Sequence, residues 1–356
     1  MDHQMKIGYS FWGFLGNGIT DTPDGGRSHR RPLIDALLAR GHDIVFLQVD
    51  RDRLEAGDTV GSPYAFDAGF PDIDVLFLEW RWPIEGRNTT ICGTSGHTCD
   101  LHRQSELLLH YTTHRRVPTV IWDKDRQLRP DSIWRRRPTV AVCEAALEPT
   151  PGAHTFLFPV DEGLLAQVDP NTLAMKPREV PLAYVGNQYD RNEAFDRFFA
   201  PAASCFEHQV GGKWTQTGRW PHVTFLGRVP FTEVAHLYGG ALTTVLLLPE
   251  RYAAAGQMTQ RISEAVLAGC LPLAPSGIRH VERFVPDELV VRSGGHVVRK
   301  ITDLKKIVGT RRHAELISAC LARLELFGLS RQVDALEAIL DSVSGAPAGA
   351  SHGAAR

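Results

Sequence analysis

The stretch Arg251 to Gly277, RYAAAGQMTQRISEAVLAGCLPLAPSG, decides how this chain is read. A loop containing Gly256 leads into a helix predicted from Met258 to Ala268. Gly269 stands where a left-handed residue closes a helix, and Leu271-Pro272-Leu273 reads as a short buried strand. At 100° per residue, Met258, Ile262, Ala265, Val266 and Gly269 share the face expected in the core. Gln257, Arg261, Glu264 and Ala268 share another. A glycine loop at a helix N-terminus beside an Arg/Glu pair has the shape of a ligand site. Loop amides and the helix dipole favour an anion, Arg261 can clamp it, and Glu264 can accept from sugar hydroxyls. The same pair is also the pattern of an intrahelical salt bridge on a solvated face.

Thr259 to Leu273, TQRISEAVLAGCLPL, resembles the R-x-x-E-A-x-x-x-G-x-x-P segment of GT-B glycosyltransferases. The resemblance implies that Glu264 binds the ribose of a nucleotide-sugar donor. It also implies that the loop of Gly256, Gln257, Met258 and Thr259 holds the donor phosphates. Retaining members usually carry a second Glu eight residues before the first; here that position is Gly256.

Upstream, Lys6-Ile7-Gly8-Tyr9-Ser10 starts as a strand and enters a glycine-rich loop, followed by DTPDGGRSHRRPLIDALLARGHDIVFLQ. A Gly25-Gly26 turn, a helix carrying Leu33, Ile34, Leu37 and Leu38, a stop at Gly41 and a strand from Asp43 to Val49 make a βαβ unit. Pro32 predicts a helix that begins near Arg31 or kinks there. Gly13, Gly16 and Gly18 are in the wrong order for a dinucleotide fingerprint, although Asp50 closes the second strand where a ribose-binding acid would sit, and no Walker A loop is present. The unit resembles the GT-B opening, which implies that Gly25 and Gly26 let the backbone approach the donor diphosphate. Asp72 to Trp80, Pro118 to Trp122, Thr139 to Cys143 and Thr155 to Phe158 read as further strands. Alternation of strands and helices predicts a doubly wound parallel sheet, with ligands at its C-terminal edge.

A polar, proline-punctuated stretch from Asp161 to Pro181 reads as a linker. Leu182 to Gly186 then opens a second sheet, and the helix after Asn187-Gln188-Tyr189-Asp190-Arg191 carries Phe195, Phe198 and Phe199. This resembles the start of a GT-B donor domain, implying that Gly186, Asn187 and Arg191 face the diphosphate. Lys213 follows the next strand as a further donor-binding candidate. The loop Gly227-Arg228-Val229 is where the family places the donor base, which makes Arg228 a candidate. Thr243 to Pro249 is a strand delivering the chain into the opening stretch. Asp303 to Val308 and Ala314 to Val343 read as amphipathic helices, and the family's terminal helix crosses back onto the first domain.

The reading is therefore α/β, with two Rossmann-like doubly wound domains facing an interdomain cleft. Residues 1–170 form an acceptor-side domain, 171–343 a donor-binding domain, and 344–356 a disordered tail. At 356 residues the chain is long enough for two ordinary cores. A net charge of −2 gives no global attraction to nucleic acid or anionic membrane. No run approaches the roughly 18 apolar residues of a membrane span. The N-terminus has no signal-peptide pattern, so a cytoplasmic location is expected. Cys92, His97, Cys99 and His102 are four zinc-ligand types within eleven residues, but their spacing matches no standard pattern.

Candidates for taking the acceptor proton are Asp21, Asp24, His29 and Asp123, all predicted on loops or helix starts at the crevice edge. Turn-capping, a surface histidine and a strand-end ion pair are the structural alternatives. The expected activity is transfer of a sugar from a nucleotide-sugar donor to a hydroxyl or amine, with no metal or other cofactor required. A small-molecule acceptor is favoured. A DNA base stays open through Arg27, Arg30, Arg31 and Arg135 to Arg137, as does a cell-envelope precursor. A same-fold epimerase or a non-catalytic sugar-nucleotide binder is the alternative.

Overall fold

The computed structural model describes residues 4–16, 26–84, 88–91, 94 and 100–345. Seven strands form the first sheet: β1 (Lys6–Ser10), β2 (Asp43–Phe46), β3 (Ala65–Phe66), β4 (Val75–Glu79), β5 (Thr119–Asp123), β6 (Val140–Glu144) and β7 (His154–Thr155). Their order is 3-2-1-4-5-6-7, and every pairing is parallel. Parallel strands covered on both faces must be apolar throughout, and β4 and β5 are buried at every residue. The helix Gly26–Ala39 lays Leu33, Ile34 and Leu37 against this sheet.

The second sheet contains β8 (Val180–Val185), β9 (His208–Gly211), β10 (Phe225–Gly227), β11 (Ala241–Val245), β12 (Leu271–Pro275) and β13 (Val290–Val291). Its order is 10-9-8-11-12-13, again parallel. Strand order reverses between β1 and β4 in one sheet and between β8 and β11 in the other. Such reversals leave a crevice beyond the carboxyl ends of the strands.

The helix of the opening stretch runs from Arg261 to Leu267, a turn shorter at its start than predicted, and Gly269 is left-handed at φ +79°. Met258, Ile262, Ala265 and Val266 are buried as the core stripe. Several elements differ from expectation. Pro32 lies inside a continuous helix, because buried neighbours on both sides (His29, Arg30, Leu33, Ile34) hold the backbone where one hydrogen bond is missing. Asp50 caps the helix Arg51–Ala56 by accepting from the Arg53 amide. The stretch 161–181 contains two short helices, Glu162–Gln167 and Pro170–Met175, capped by Asp161 and Asp169.

The predicted helix Ala314–Val343 is two helices, Arg311–Leu324 and Leu329–Ser344, separated by a turn and the extended Gly328. There the Val160 amide donates to Phe327 O (2.8 Å) and the Leu329 amide donates to Val160 O (2.9 Å). This exchange turns the chain back, so that Val333, Leu336, Ile339, Leu340 and Val343 join the core of the first sheet with Ile7, Leu33 and Phe77. The small-residue tail from 346 lies outside the described residues.

Candidate functional site

A cleft of about 620 Å³ opens where the two crevices meet. Its second-domain wall begins at β8. A Cβ on Gly212 would overlap the Gly186 carbonyl, and Gly212 itself has φ +132°, so only glycine lets these two strand ends approach. The approach fixes the loop after β8 against the loop after β9. Asn187 Oδ1 accepts from the Lys213 amide (2.9 Å), and Gln188 Oε1 accepts from the Thr215 and Gln216 amides (2.9 and 3.0 Å). Arg191 donates through Nε to Leu247 O (3.1 Å) and through Nη1 to Asn187 O and Tyr189 O (3.2 and 2.7 Å). Its Nη2 carries no hydrogen bond among the described residues. Lys213 is exposed and makes no ion pair among them.

The helix of the opening stretch forms the floor and also the joint between domains. Gln257, fully buried, donates through Nε2 to Lys124 O (2.5 Å). Gly256, left-handed at φ +60°, offers its carbonyl to the Leu147 amide, away from the cleft lining. Met258 is core, while Thr259, Gln260 and Arg261 line the cleft. Glu264 does not line it: one carboxylate oxygen accepts from Ser28 Oγ of the first domain (2.9 Å) and the other from Arg261. Arg228 is exposed beyond β10 and also lies off the lining.

On the first-domain side, Trp12, Trp80, Trp82 and Ile84 line the cleft with Lys124 and Asp125. Trp82 Nε1 donates to Tyr189 OH across it (3.0 Å). Beneath, Glu79 is buried and accepts from Tyr9 OH (2.6 Å), Arg30 Nε and Nη2 (3.0 Å each) and Lys124 Nζ (2.5 Å). Burial would raise its pKa, but Arg30 and Lys124 hold it well below the usual carboxylate range.

Of the predicted acid/base candidates, Asp21 and Asp24 lie outside the described residues, as does Gly25, and Gly26 is the first residue of its helix. His29 is fully buried against Trp122 and Phe158, and its Nδ1 lies 2.5 Å from Gln260 Nε2 across the domain junction. Asp123 is also buried. It accepts from the Gln127 and Leu128 amides (2.9 and 2.8 Å), so it shapes the loop after β5 and does not line the cleft. Burial pushes its carboxyl up to about 6 although both amides favour the charged form. The cleft carboxylates are instead Asp125, which accepts from Tyr252 OH, and Asp190, paired with Arg251 (2.6 Å). Sequence reasoning had not singled these out, nor the tryptophans; their one signal was position after β4, β5 and β8. Cys92, His97 and Cys99 lie outside the described residues.

No protein-family model and no curated protein matches the sequence. Solved structures do match. T4 phage BGT in complex with UDP and Mn2+ aligns with a TM-score of 0.64 at 12% identity, covering 95% of this chain and 100% of that one. An α-glucosyltransferase in complex with UDP-glucose and DNA containing an abasic site aligns at 0.60 and 11%, covering 95% and 99%. AviGT4, a glycosyltransferase involved in avilamycin A biosynthesis, aligns at 0.58 and 13%, covering 96% and 99%. This chain has the GT-B fold. Both GT-B domains are spanned, so the likeness extends well past the motif of the opening stretch.

The comparison corrects one expectation, that no metal is required: the phage enzyme is in complex with both UDP and Mn2+. In this GT-B chain no group of three or more His, Cys, Asp or Glu among the described residues could cage an ion. The carboxylates on the cleft lining are Asp125 and Asp190, and a hard divalent ion bound through phosphate and water needs only one or two from the protein.

Proposed function

We propose that the protein is a glycosyltransferase that moves a sugar from a nucleotide-sugar donor to a hydroxyl or amine of a small-molecule acceptor. The observation that carries this is the second-domain wall. Arg191 Nη2 and Lys213 stand uncommitted at the end of a sheet whose strand order has just reversed, on loops held rigid by Gly186 and Gly212. Two cations there suit a diphosphate and are useful only to an anionic ligand. The solved structures of the same fold that hold UDP or UDP-glucose make a uridine donor the first choice.

In this reading Arg191 and Lys213 bind the diphosphate, and Thr259 and Arg261, which line the floor, approach it from below. A divalent ion on the diphosphate, with Asp125 or Asp190 as its protein ligand, would neutralise charge on the leaving group. Glu264 reaches a donor ribose by giving up Ser28, which couples donor binding to the domain junction. The acceptor proton passes to a carboxylate on the first-domain side: Asp125, Asp21 or Asp24. His29 and Asp123 act indirectly, through Gln260 and through the 123–128 loop. Enclosure between domains keeps water from the activated sugar.

A thermal-shift panel of nucleotide sugars, with and without Mn2+, tests the reading. The matching donor at ~100 times its Kd should add roughly 2.7 kcal/mol of stability. Stabilisation by no nucleoside diphosphate or nucleotide sugar would overturn it. Donor consumption only in the presence of an acceptor separates transfer from epimerisation and from binding alone.

A further inference from the structure

The two walls of the cleft differ in chemistry. The second-domain wall is largely polar and cationic, with Tyr184, Tyr189 and Tyr252 among its lining, while the first-domain wall presents Trp12, Trp80, Trp82 and Ile84 beside Lys124 and Asp125. We propose that this aromatic wall is the acceptor subsite and that the acceptor is a small molecule with a flat aromatic ring bearing a hydroxyl, a phenol or naphthol in chemical class. The proposal rests on the transferase reading above and narrows it.

Three observations carry it. Indole faces bind flat rings by offset or edge-to-face contact, and three of them, half-buried, are gathered at the ends of β1 and β4 along the cleft. Next, Trp80 Nε1 is buried without a hydrogen-bond partner, an unusual state for an indole donor. Because that atom is closed to solvent here, an acceptor oxygen would satisfy it only once the indole turns toward the cleft.

The third observation concerns nucleic acid, the other plausible ring-bearing acceptor. A duplex needs a continuous platform of free cations for its phosphates. Of the six arginines that suggested such a platform, Arg27, Arg30 and Arg135 are taken up inside the protein, and the exposed Arg31 and Arg136 do not by themselves make a continuous one. Arg27 is 4% exposed, and Arg30 is fully buried on Glu79. Arg135 is bound to Glu144 (2.7 Å) and Leu128 O (3.0 Å). A cleft of about 620 Å³ is also of the size used for small ligands.

The chemistry balances without another reactant. The phenolic oxygen forms a bond to the anomeric carbon while the bond from that carbon to the diphosphate breaks. Its electron pair leaves on the nucleoside diphosphate, and the phenolic proton passes to a cleft carboxylate.

The test uses the full chain with the nucleotide sugar that stabilises it, and three acceptors: 2-naphthol, methyl glucoside and duplex DNA. Transfer to 2-naphthol alone is expected. Trp80→Ala and Trp82→Ala should each raise its KM roughly five- to tenfold, with nucleoside diphosphate affinity unchanged. Trp82→Phe should recover most of the loss, which a merely misfolded variant would not do. Transfer to methyl glucoside or DNA but not to 2-naphthol overturns this inference and leaves the transferase standing. So does a KM unmoved in both alanine variants. Calorimetric titration with 2-naphthol alone needs no donor: binding weakened by the tryptophan substitutions supports the subsite even if the donor reading fails, and absence of binding sinks it.

Discussion

At the scale of single residues, the first domain is organised by Glu79. It gathers Tyr9, Arg30 and Lys124 under the cleft, and each of them contributes a hydrogen bond. Replacing it leaves Arg30, itself fully buried, without a counter-charge. Glu79→Gln should therefore cost about 3–5 kcal/mol of stability, measured by denaturant unfolding. A loss within error would show that Arg30 finds another partner. Because the folded pKa of Glu79 is depressed, its stabilisation is present above its unfolded pKa and is lost as pH falls below it.

Asp123 has the opposite sign. With its carboxyl raised to about 6, the fold favours the protonated form, so its contribution is full below the unfolded pKa and fades as pH rises through 6. The stability of the parent relative to Asp123→Asn should fall between pH 4 and pH 7, by up to about 3 kcal/mol for a shift of this size. A difference independent of pH would retire that account. Neither residue could have been ranked from sequence, since an acid at a strand end says nothing of which amides or guanidinium will meet it.

Among the elements, the loops after β8 and β9 work as one piece because Gly212 packs on the Gly186 carbonyl. Gly212→Ala would strain a φ of +132° and push the two strand ends apart. It should weaken nucleoside diphosphate binding as much as Lys213→Ala does, about tenfold or more for the loss of a charge-assisted bond, although it removes no ligand-binding group. Calorimetric titration of both variants checks this; full affinity in Gly212→Ala would mean the loops are positioned independently. The helix Leu329–Ser344 is the second telling element. Leu336 is fully buried in the first domain's core, so Leu336→Ala should cost about 2–5 kcal/mol although it lies late in the chain.

Taken whole, the two domains are tied at several points. The bond from Gln257 to Lys124 O, the contact of Ser28 with Glu264, the Leu147 and Glu148 amides on Gly256 and Ala255, and the returning helix all cross the junction. Calorimetry should therefore show one cooperative unfolding transition for the full chain, and saturating donor should move it as a unit. Two transitions, only one of them shifted by donor, would show that the domains unfold separately. No helix among the described residues is long and apolar enough to cross a membrane.

Some of this molecule is written locally and was legible as sequence. Apolar runs such as Val75 to Leu78, short and bounded by polar residues, read as strands buried on both faces. Gly269 and the 3.6-residue stripe of Met258, Ile262, Ala265 and Val266 specify a helix and its stop, because these features depend on neighbours a few residues away. Order and spacing from Thr259 to Leu273 were enough to name the fold. What only the tertiary structure decided depends on partners far along the chain. Pro32 stayed within a helix because packing on both flanks outweighed one missing bond. Two of the arginines that read as a basic surface, Arg30 and Arg135, turned inward onto Glu79 and Glu144, while Arg31 and Arg136 stayed exposed. Glu264 met Ser28, 236 residues away, and Trp82 met Tyr189, 107 away. Propensity acts over a turn or two, whereas desolvation and charge pairing are set by which surfaces the fold brings together.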